Sequence, residues 1–428
     1  MKKMKIISPL IAFTVFTITV KSQITNPLNT AKDKSSDRVN DKVDQGIDKG
    51  LDKVEGVFKK KDKTKTDKTS KDTATSKSGS STSTTSTSAT PTLETYSKYD
   101  FIPGSSILFY DDFSQDAIGD FPALWNTNGS AEVVTTNLYP GRWLKFLMTN
   151  SALWTDSLLK LPENYTIEYD AIPIKDNQNN MAGYDFRLIQ SQNTRAYDWG
   201  AIPGKAGLLY TIEYYGKPTY RTYMNMEGGD GLGLDGGNDD KADYQKLDQK
   251  YHVAIWVQKS RVRIYQDQNK VFDLPKAFSL SGIKMDRIRF EEGGAMISNI
   301  RIAVGLPDTR SKLITDGKLV SYGCYFDSGS SILKPESYGT LKDIAAVLKD
   351  NPTVKIKIVG YTDSDGDDAT NITLSKNRAL AVKDALNKTF GIDNSMMDTD
   401  GKGKADPVST NATSAGKAMN RRVEFIKM

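Results

Sequence analysis

Between Tyr99 and about Gly305, apolar residues recur in short runs with the two-residue alternation of half-buried strands. The runs are "SILFYDDF", "RWLKFLM", "YTIEYDAI", "GLLYTIEYY", "YHVAIWVQ", "RVRIYQD" and "ISNIRIAV". Loops rich in Gly, Asn, Asp and Pro separate them. Only Lys259 and Ser260 stand between "YHVAIWVQ" and "RVRIYQD", so a tight hairpin is expected there. Many short strands without helical patterns between them predict an all-β sandwich over residues 99–305. A membrane β-barrel would need repeated strands of about ten residues with an unbroken apolar outer face. "DAIPIKDNQNNMAGYDFRLIQ" and "MEGGDGLGLDGGNDDKADYQK" break that pattern.

After a linker expected at 306–316 the period changes. "KLVSYGCYF" reads as a strand. "PESYGTLKDIAAVLKD" reads as a helix with Pro335 in its first turn and Tyr338, Leu341, Ala345 and Leu348 on one face. "TVKIKIVGY" alternates as a strand. "LSKNRALAVKDALNKTF" follows as a second helix with Leu374, Ala381, Val382, Ala385 and Leu386 inward, and Gly391 stands in C-cap position. "NRRVEFIKM" closes the chain as a strand with Val423 and Phe425 on a shared face. Residues 317–428 are therefore expected to form an α+β domain of βαβαβ order.

The first hundred residues differ from both patterns. Lys2, Lys3 and Lys5 precede an apolar stretch, Ile6 to Val20, that is shorter than the roughly 20 residues a membrane-spanning helix needs. With "VKS" before Gln23, residues 1–22 read as a secretory signal peptide. Residues 23–98, rich in Lys, Asp, Ser and Thr, have too little apolar surface to offset ordering entropy and are expected to form a long disordered tether. Within it, Val39, Val43, Ile47, Leu51, Val54 and Phe58 share one face of an amphipathic helix expected over 37–58, weakened by Gly46, Gly50 and Gly56.

Composition excludes several functions. The 428-residue chain carries 58 basic and 53 acidic residues, interspersed, for a net charge of +5, which does not suit a nucleic-acid binder. Cys324 is the only cysteine, so no intramolecular disulfide forms and no acyl-anchor cysteine is expected at the leader. His252, the only histidine, sits in an alternating strand and reads as a sheet residue. Histidine-based triads and multi-histidine zinc sites are not expected.

Candidate chemistry concentrates in "YTDSDGDDATNITLSKNRAL", residues 361–380. A calcium loop starting at Asp363 would need glycine at its sixth position and glutamate at its twelfth, where the chain has Asp368 and Leu374. A loop starting at Asp398 fails at Lys402 and Ser409, so no metal is expected. Asp363 follows a strand, and Arg378 lies early in the next helix. An aspartate accepts hydrogen bonds from an ammonium and a guanidinium grips a carboxylate, so the two suit a zwitterion. From these residues alone, an Asp363–Arg378 ion pair is equally consistent.

Residues 317–428 resemble the OmpA-like peptidoglycan-binding domain, shared with peptidoglycan-associated lipoproteins and the flagellar stator protein MotB. The resemblance rests on "YFDSGSSILKPES", "IKIVGYTDSDGDDATNITLSKNRALAVKDAL" and "GKGKADPVSTNATSAGKAMNRRVEF", in order. It implies that Asp363 and Arg378, fifteen positions apart, bind diaminopimelate of the peptidoglycan stem peptide, with Asn371 lining the pocket. Thr362, Leu374 and Arg422 match recurrent family positions. Tyr361 stands where the family usually has histidine, and its ring can still stack and donate a hydrogen bond. Asp365, Asp367 and Asp368 are expected to be solvated.

The middle region resembles concanavalin A-like, laminin-G-like jelly rolls through "FYDDFSQDAIGDFPALW", "LPENYTIEYD" and "VAIWVQKSRVRIYQDQNKVFDLP". Such sandwiches include glycoside hydrolases, which need two carboxylates about 5 to 9.5 Å apart. Glu168 and Asp170 share a strand face, whereas Glu291 and Glu292 are adjacent and are expected to point to opposite faces. The tyrosines of "YYGKPTYRTY" and the ring pair in "AYDWG" suit a glycan, but aromatics in a sandwich are more often core or strand-pairing residues, so they assign no sugar site.

The expected function is therefore that of a non-enzymatic, exported cell-envelope protein of a Gram-negative bacterium, with no cofactor. It binds peptidoglycan in the periplasm, with outer-membrane association and a glycan or envelope protein as partner of the sandwich. The alternative is a carbohydrate-active or glycan-binding sandwich anchored to the wall by the C-terminal domain.

Overall fold

Strands form wherever the alternating runs predict them, but several, such as Asn164–Pro173 and Tyr251–Gln258, are buried on both faces. A computed structural model describes residues 99–148, 151–175, 183–191, 203–212, 217–226, 229–239, 245–278, 284–305 and 308–428. The expected leader, tether and amphipathic helix lie outside these residues. The middle region contains β1 (Ser106–Asp111), β2 (Trp125–Thr127), β3 (Ala131–Val134), β4 (Trp143–Phe146) and β5 (Ala152–Thr155). The next are β6 (Asn164–Pro173), β7 (Tyr184–Gln190), β8 (Ala206–Ile212), β9 (Thr219–Met226) and β10 (Gly229–Gly237). It ends with β11 (Tyr251–Gln258), β12 (Arg261–Gln266), β13 (Asn269–Leu274), β14 (Arg287–Glu291) and β15 (Ala295–Val304).

They form two antiparallel sheets. One runs β13-β12-β11-β6-β15-β4-β3, with β1 also paired to β15; the other runs β10-β9-β8-β7-β14-β5-β2. Inward residues of both sheets share one core. At its centre Tyr169 from one sheet meets Phe186 and Phe290 from the other, with ring centroids 5.3 and 5.0 Å away. β11 and β12 turn through Lys259 and Ser260 as expected, Gln258 pairing with Arg261 and Lys259 adopting a left-handed backbone (φ +54°).

The C-terminal region contains β16 (Lys318–Ser321), α1 (Tyr338–Asp350), β17 (Ile356–Gly360), α2 (Asp368–Lys388), β18 (Met397–Gly401), α3 (Ser414–Asn420) and β19 (Val423–Lys427). Its sheet runs β16-β19-β17-β18, and β17 pairs with β18 in parallel while the other pairs are antiparallel. β18 and α3 extend the expected βαβαβ order. β18 is a polar edge strand, "MDTDG", in which only Met397 and Gly401 are buried, so no apolar alternation announces it. The expected linker is also partly structured. Ser311–Thr315 forms a helical turn whose Leu313 is fully buried in the second core with Leu341, Ile344, Ile358, Leu386 and Phe425.

The outer face of the eight-stranded sheet carries Glu168, Asp170, His252, Trp256 and Arg301, and the C-terminal domain covers it. Tyr325 Oη donates to Glu168, and Arg301 reaches both Glu168 Oε1 (3.1 Å) and Tyr325 Oη (3.1 Å). Residues 99–104 thread between the two domains. Phe101, with no exposed surface, packs with Tyr99, Trp256 and Tyr265, and Tyr338 of α1 closes the cluster. Gly339 is required here because a Cβ would fall on the Phe101 carbonyl oxygen. No helix among the described residues is long and apolar enough to cross a membrane.

Candidate functional site

The buried face of α2 changes character along its length. Toward its C-terminal end it presents Ala379, Val382 and Leu386 to the core; toward its N-terminal end it presents Asn371, Ser375 and Arg378. Ser375 lets the helix approach the sheet closely, because it sits against Gly360 and Gly401, where a Cβ would strike the helix backbone. Its hydroxyl also accepts from Gly403 N (2.9 Å). Expected inward positions Leu374, Ala381 and Ala385 are only half-buried.

Asp367 caps α2, accepting from Thr370 N (2.8 Å). Asn371 donates to Asp365 O (2.8 Å) and pins the acidic loop. Asp365, Asp367 and Asp368 are exposed as expected. Two of them also have cationic partners, Asp365 with Lys417 (2.8 Å) and Asp368 with Lys404 (2.6 Å).

Asp363 and Arg378 face this corner but form no ion pair with each other. Arg378 is buried and donates to the carbonyls of Ser330 (2.9 Å) and Asp327 (3.3 Å), with its guanidinium over the Phe326 ring at 5.0 Å. Burial and the neighbouring Arg421 push its pKa down to about 10, against the field of Asp363. It therefore stays charged at neutral pH with no carboxylate partner among the described residues. Asp363 is also mostly buried. Its Oδ1 accepts from Asp365 N (3.1 Å), and its Oδ2 accepts from Arg421 Nη1 (2.7 Å).

Arg421 is the residue that sequence reasoning missed. Its neighbour Arg422 points elsewhere, to Glu424 (2.9 Å) and Asp406 O (3.0 Å), and stacks on Tyr361 at 3.7 Å. Tyr361 donates in turn to Glu424 (3.1 Å), so it and Arg422 form a separate buried cluster. Thr362 is buried next to the site, its backbone N donating to Gly403 O (2.8 Å). All three sequence motifs thus converge: the 325–337 loop holds Arg378, the 361–378 stretch supplies both charges, and the segment ending at Arg421 braces Asp363. A buried, charged guanidinium beside a carboxylate suits a ligand that carries a carboxylate and an ammonium together.

The candidate carboxylates of the sandwich are arranged otherwise. Glu168 (1% exposed) and Asp170 (4% exposed) lie inside the domain interface, bound to Arg301, Tyr325 and His252. Glu291 and Glu292 do not diverge as expected. Glu292 is left-handed (φ +78°), which breaks the strand alternation, and carboxylate oxygens of Asp185, Glu291 and Glu292 lie within 4.8 Å of one another. Arg187 pairs with Asp185 (3.3 Å) and Glu291 (2.9 Å), and Arg289 also pairs with Glu291.

Comparison with known proteins places the C-terminal region. The OmpA family model matches residues 325–421. The probable lipoprotein YiaD of Escherichia coli is 48% identical over 100 residues, 23% of this chain and 45% of that protein. The peptidoglycan-binding protein ArfA of Mycobacterium bovis is 39% identical over 101 residues, 24% of this chain and 31% of that protein. The chain therefore spans less than half the length of these curated relatives. Among solved structures, the peptidoglycan-associated lipoprotein of Burkholderia pseudomallei is 32% identical, covering 24% of this chain and 88% of that one, with a TM-score of 0.23. Residues 325–421 of this chain are an OmpA family domain.

Proposed function

We propose that the protein is a non-enzymatic cell-envelope protein that docks non-covalently on peptidoglycan. In this reading Arg378 takes the carboxylate and Asp363 the ammonium of a diaminopimelate end in the stem peptide, with Asn371, Thr362 and Leu374 shaping the pocket. The observation that carries it is the state of Arg378, a buried guanidinium whose hydrogen bonds among the described residues go to backbone carbonyls, next to a carboxylate that it does not neutralise. The peptidoglycan binding named for ArfA supports the choice of ligand. Two charge-assisted contacts give modest affinity at one site, and the dense array of stem peptides in the sacculus raises it through avidity. The protein is then exported to the periplasm, at the outer-membrane side of the envelope, and its concanavalin A-like sandwich is left to engage a glycan or an envelope protein.

Co-sedimentation of the full chain with purified diaminopimelate-type sacculi tests this. Asp363→Ala and Arg378→Ala each remove a charge-assisted contact worth roughly 1.5–3 kcal/mol, so each should lower affinity by about tenfold or more. Undiminished sedimentation of both variants overturns the reading. The alternative of a carbohydrate-active sandwich has weaker support, since Glu168 and Asp170 sit inside an interface and Glu291 is tied up by two arginines.

A further inference from the structure

The brace on Asp363 is itself held from the other domain. Arg421 leaves the end of α3 and reaches Asp363 with Nη1, while Nη2 lies 3.8 Å from Oδ2 of Asp112, just after β1 of the sandwich. Its guanidinium also covers the Tyr110 ring at 5.4 Å. Asp112 is itself fixed, since its Oδ1 accepts from Ser114 N (3.1 Å). The turn that follows is docked on the C-terminal domain through Gln115 Nε2 to Ala412 O (2.8 Å) and Ser114 Oγ to Ser414 Oγ (3.4 Å). Tyr110 is tied back into the interface by its hydroxyl, which donates to Asn299 (3.1 Å), and Asn299 donates to Asp170 (2.9 Å).

We infer that the sandwich completes the zwitterion site: Asp112 and Tyr110 hold Arg421 so that it orients Asp363, and the charge of Asp112 makes the pocket neutral. The inference rests on the peptidoglycan reading above. A carboxylate offers about four acceptor positions, and Asp363 uses one on each oxygen, so it keeps capacity for an ammonium while Arg421 is in place. The charges explain why the sandwich is needed. Arg378 and Arg421 are two cations against the single carboxylate of Asp363, and the nearby Asp365 is already balanced by Lys417. Without Asp112 the pocket would carry a net positive charge, which repels an ammonium and attracts a plain carboxylate. With it, the pocket is matched to a ligand that bears both groups. Asp112, Tyr110 and Arg421 are therefore positioning residues, and selectivity for the ammonium depends on the domains being docked.

The test is an NMR titration of the full chain with two ligands. One is meso-diaminopimelate; the other is pimelate, the same dicarboxylate without ammonium groups. Asp112→Asn keeps the acceptor for Ser114 N and removes only the charge. It should weaken meso-diaminopimelate about three- to tenfold, as expected for one charge acting through largely water-like screening, and leave pimelate unchanged or tighter. Asp112→Glu should restore the wild-type preference. Equal affinity of wild type and Asp112→Asn for meso-diaminopimelate overturns the inference, as does equal weakening of both ligands, which would mean a purely structural role. Binding that Asp363→Ala abolishes and Asp112→Asn leaves untouched removes this inference and keeps the peptidoglycan reading. Absence of wild-type binding removes both.

Discussion

Two adjacent arginines, Arg421 and Arg422, divide into a brace on Asp363 and a core element, and strand parity decides which is which. Val423 and Phe425 enter the core of the C-terminal domain, so Arg422 and Glu424 share the opposite face and pair there. Arg421 precedes the strand and is free to turn toward Asp363. Arg422→Ala leaves Glu424, 1% exposed, with Lys318 and Tyr361 as its remaining partners. Losing one buried charge-assisted hydrogen bond with those partners left costs roughly 1.5–3 kcal/mol, so the thermal midpoint should drop clearly in calorimetry while the surviving folded protein still sediments with sacculi. An Arg422→Ala protein as stable as wild type would contradict the buried cluster. The juxtaposition of Asp363, Arg378 and Asn371 was legible because their motif spacing is local. The separation of Arg421 from Arg422 was legible only in part: the parity of "NRRVEF" was there to be used, but nothing local points to a partner 58 residues away. Glu292 shows the limit of the same argument. Adjacent residues diverge only while the strand continues, and its left-handed backbone ends the strand.

At the scale of elements, amphipathic period alone locates α1, β17 and β19, each of which turns an apolar face to the second core. It describes α2 less well, because half of that helix's buried face is polar and its packing depends on Ser375 against two glycines. β18 escapes it, since an edge strand held in parallel beside β17 needs no apolar alternation. The segment before β16 escaped for a different reason: one buried leucine among polar residues resembles a linker in sequence, yet Leu313 completes the second core. Leu313→Ala should therefore cost about 2–5 kcal/mol, the range for large-to-small changes in a packed core. Denaturant titration followed by tryptophan fluorescence and far-ultraviolet circular dichroism measures it; a cost under about 0.5 kcal/mol, the level of a surface change, would return the segment to linker status.

At the scale of the molecule, the domains meet through charges that no local pattern connects, and His252 is at their centre. Burial alone would lower its pKa, but its hydrogen bond to Asp170 (2.8 Å) and its ion pair with Glu168 (3.4 Å) outweigh burial and raise it to about 10. Asp170 and Glu168 are buried too, which opposes their ionisation, yet His252 and, for Glu168, Arg301 hold both below the usual carboxylate range. Tyr325, pushed well above its ordinary value by burial and by Glu168, keeps its proton throughout. An unfolded imidazole titrates near about 6.5. Above that pH the unfolded chain has released a proton that the folded chain retains, so stability falls as pH rises. The contribution of His252 is complete below about 6.5 and is lost as the pH passes through about 10. Thermal midpoints of the wild type should fall across that interval, whereas His252→Gln, with nothing to titrate at that position, should begin lower and show a shallower slope. Parallel slopes for the two proteins would mean that the imidazole is neutral in the interface. Because Tyr110, Asn299 and Asp170 link His252 to Arg421, the same rise in pH should loosen the brace on Asp363, and meso-diaminopimelate affinity should fall with the wild-type midpoint.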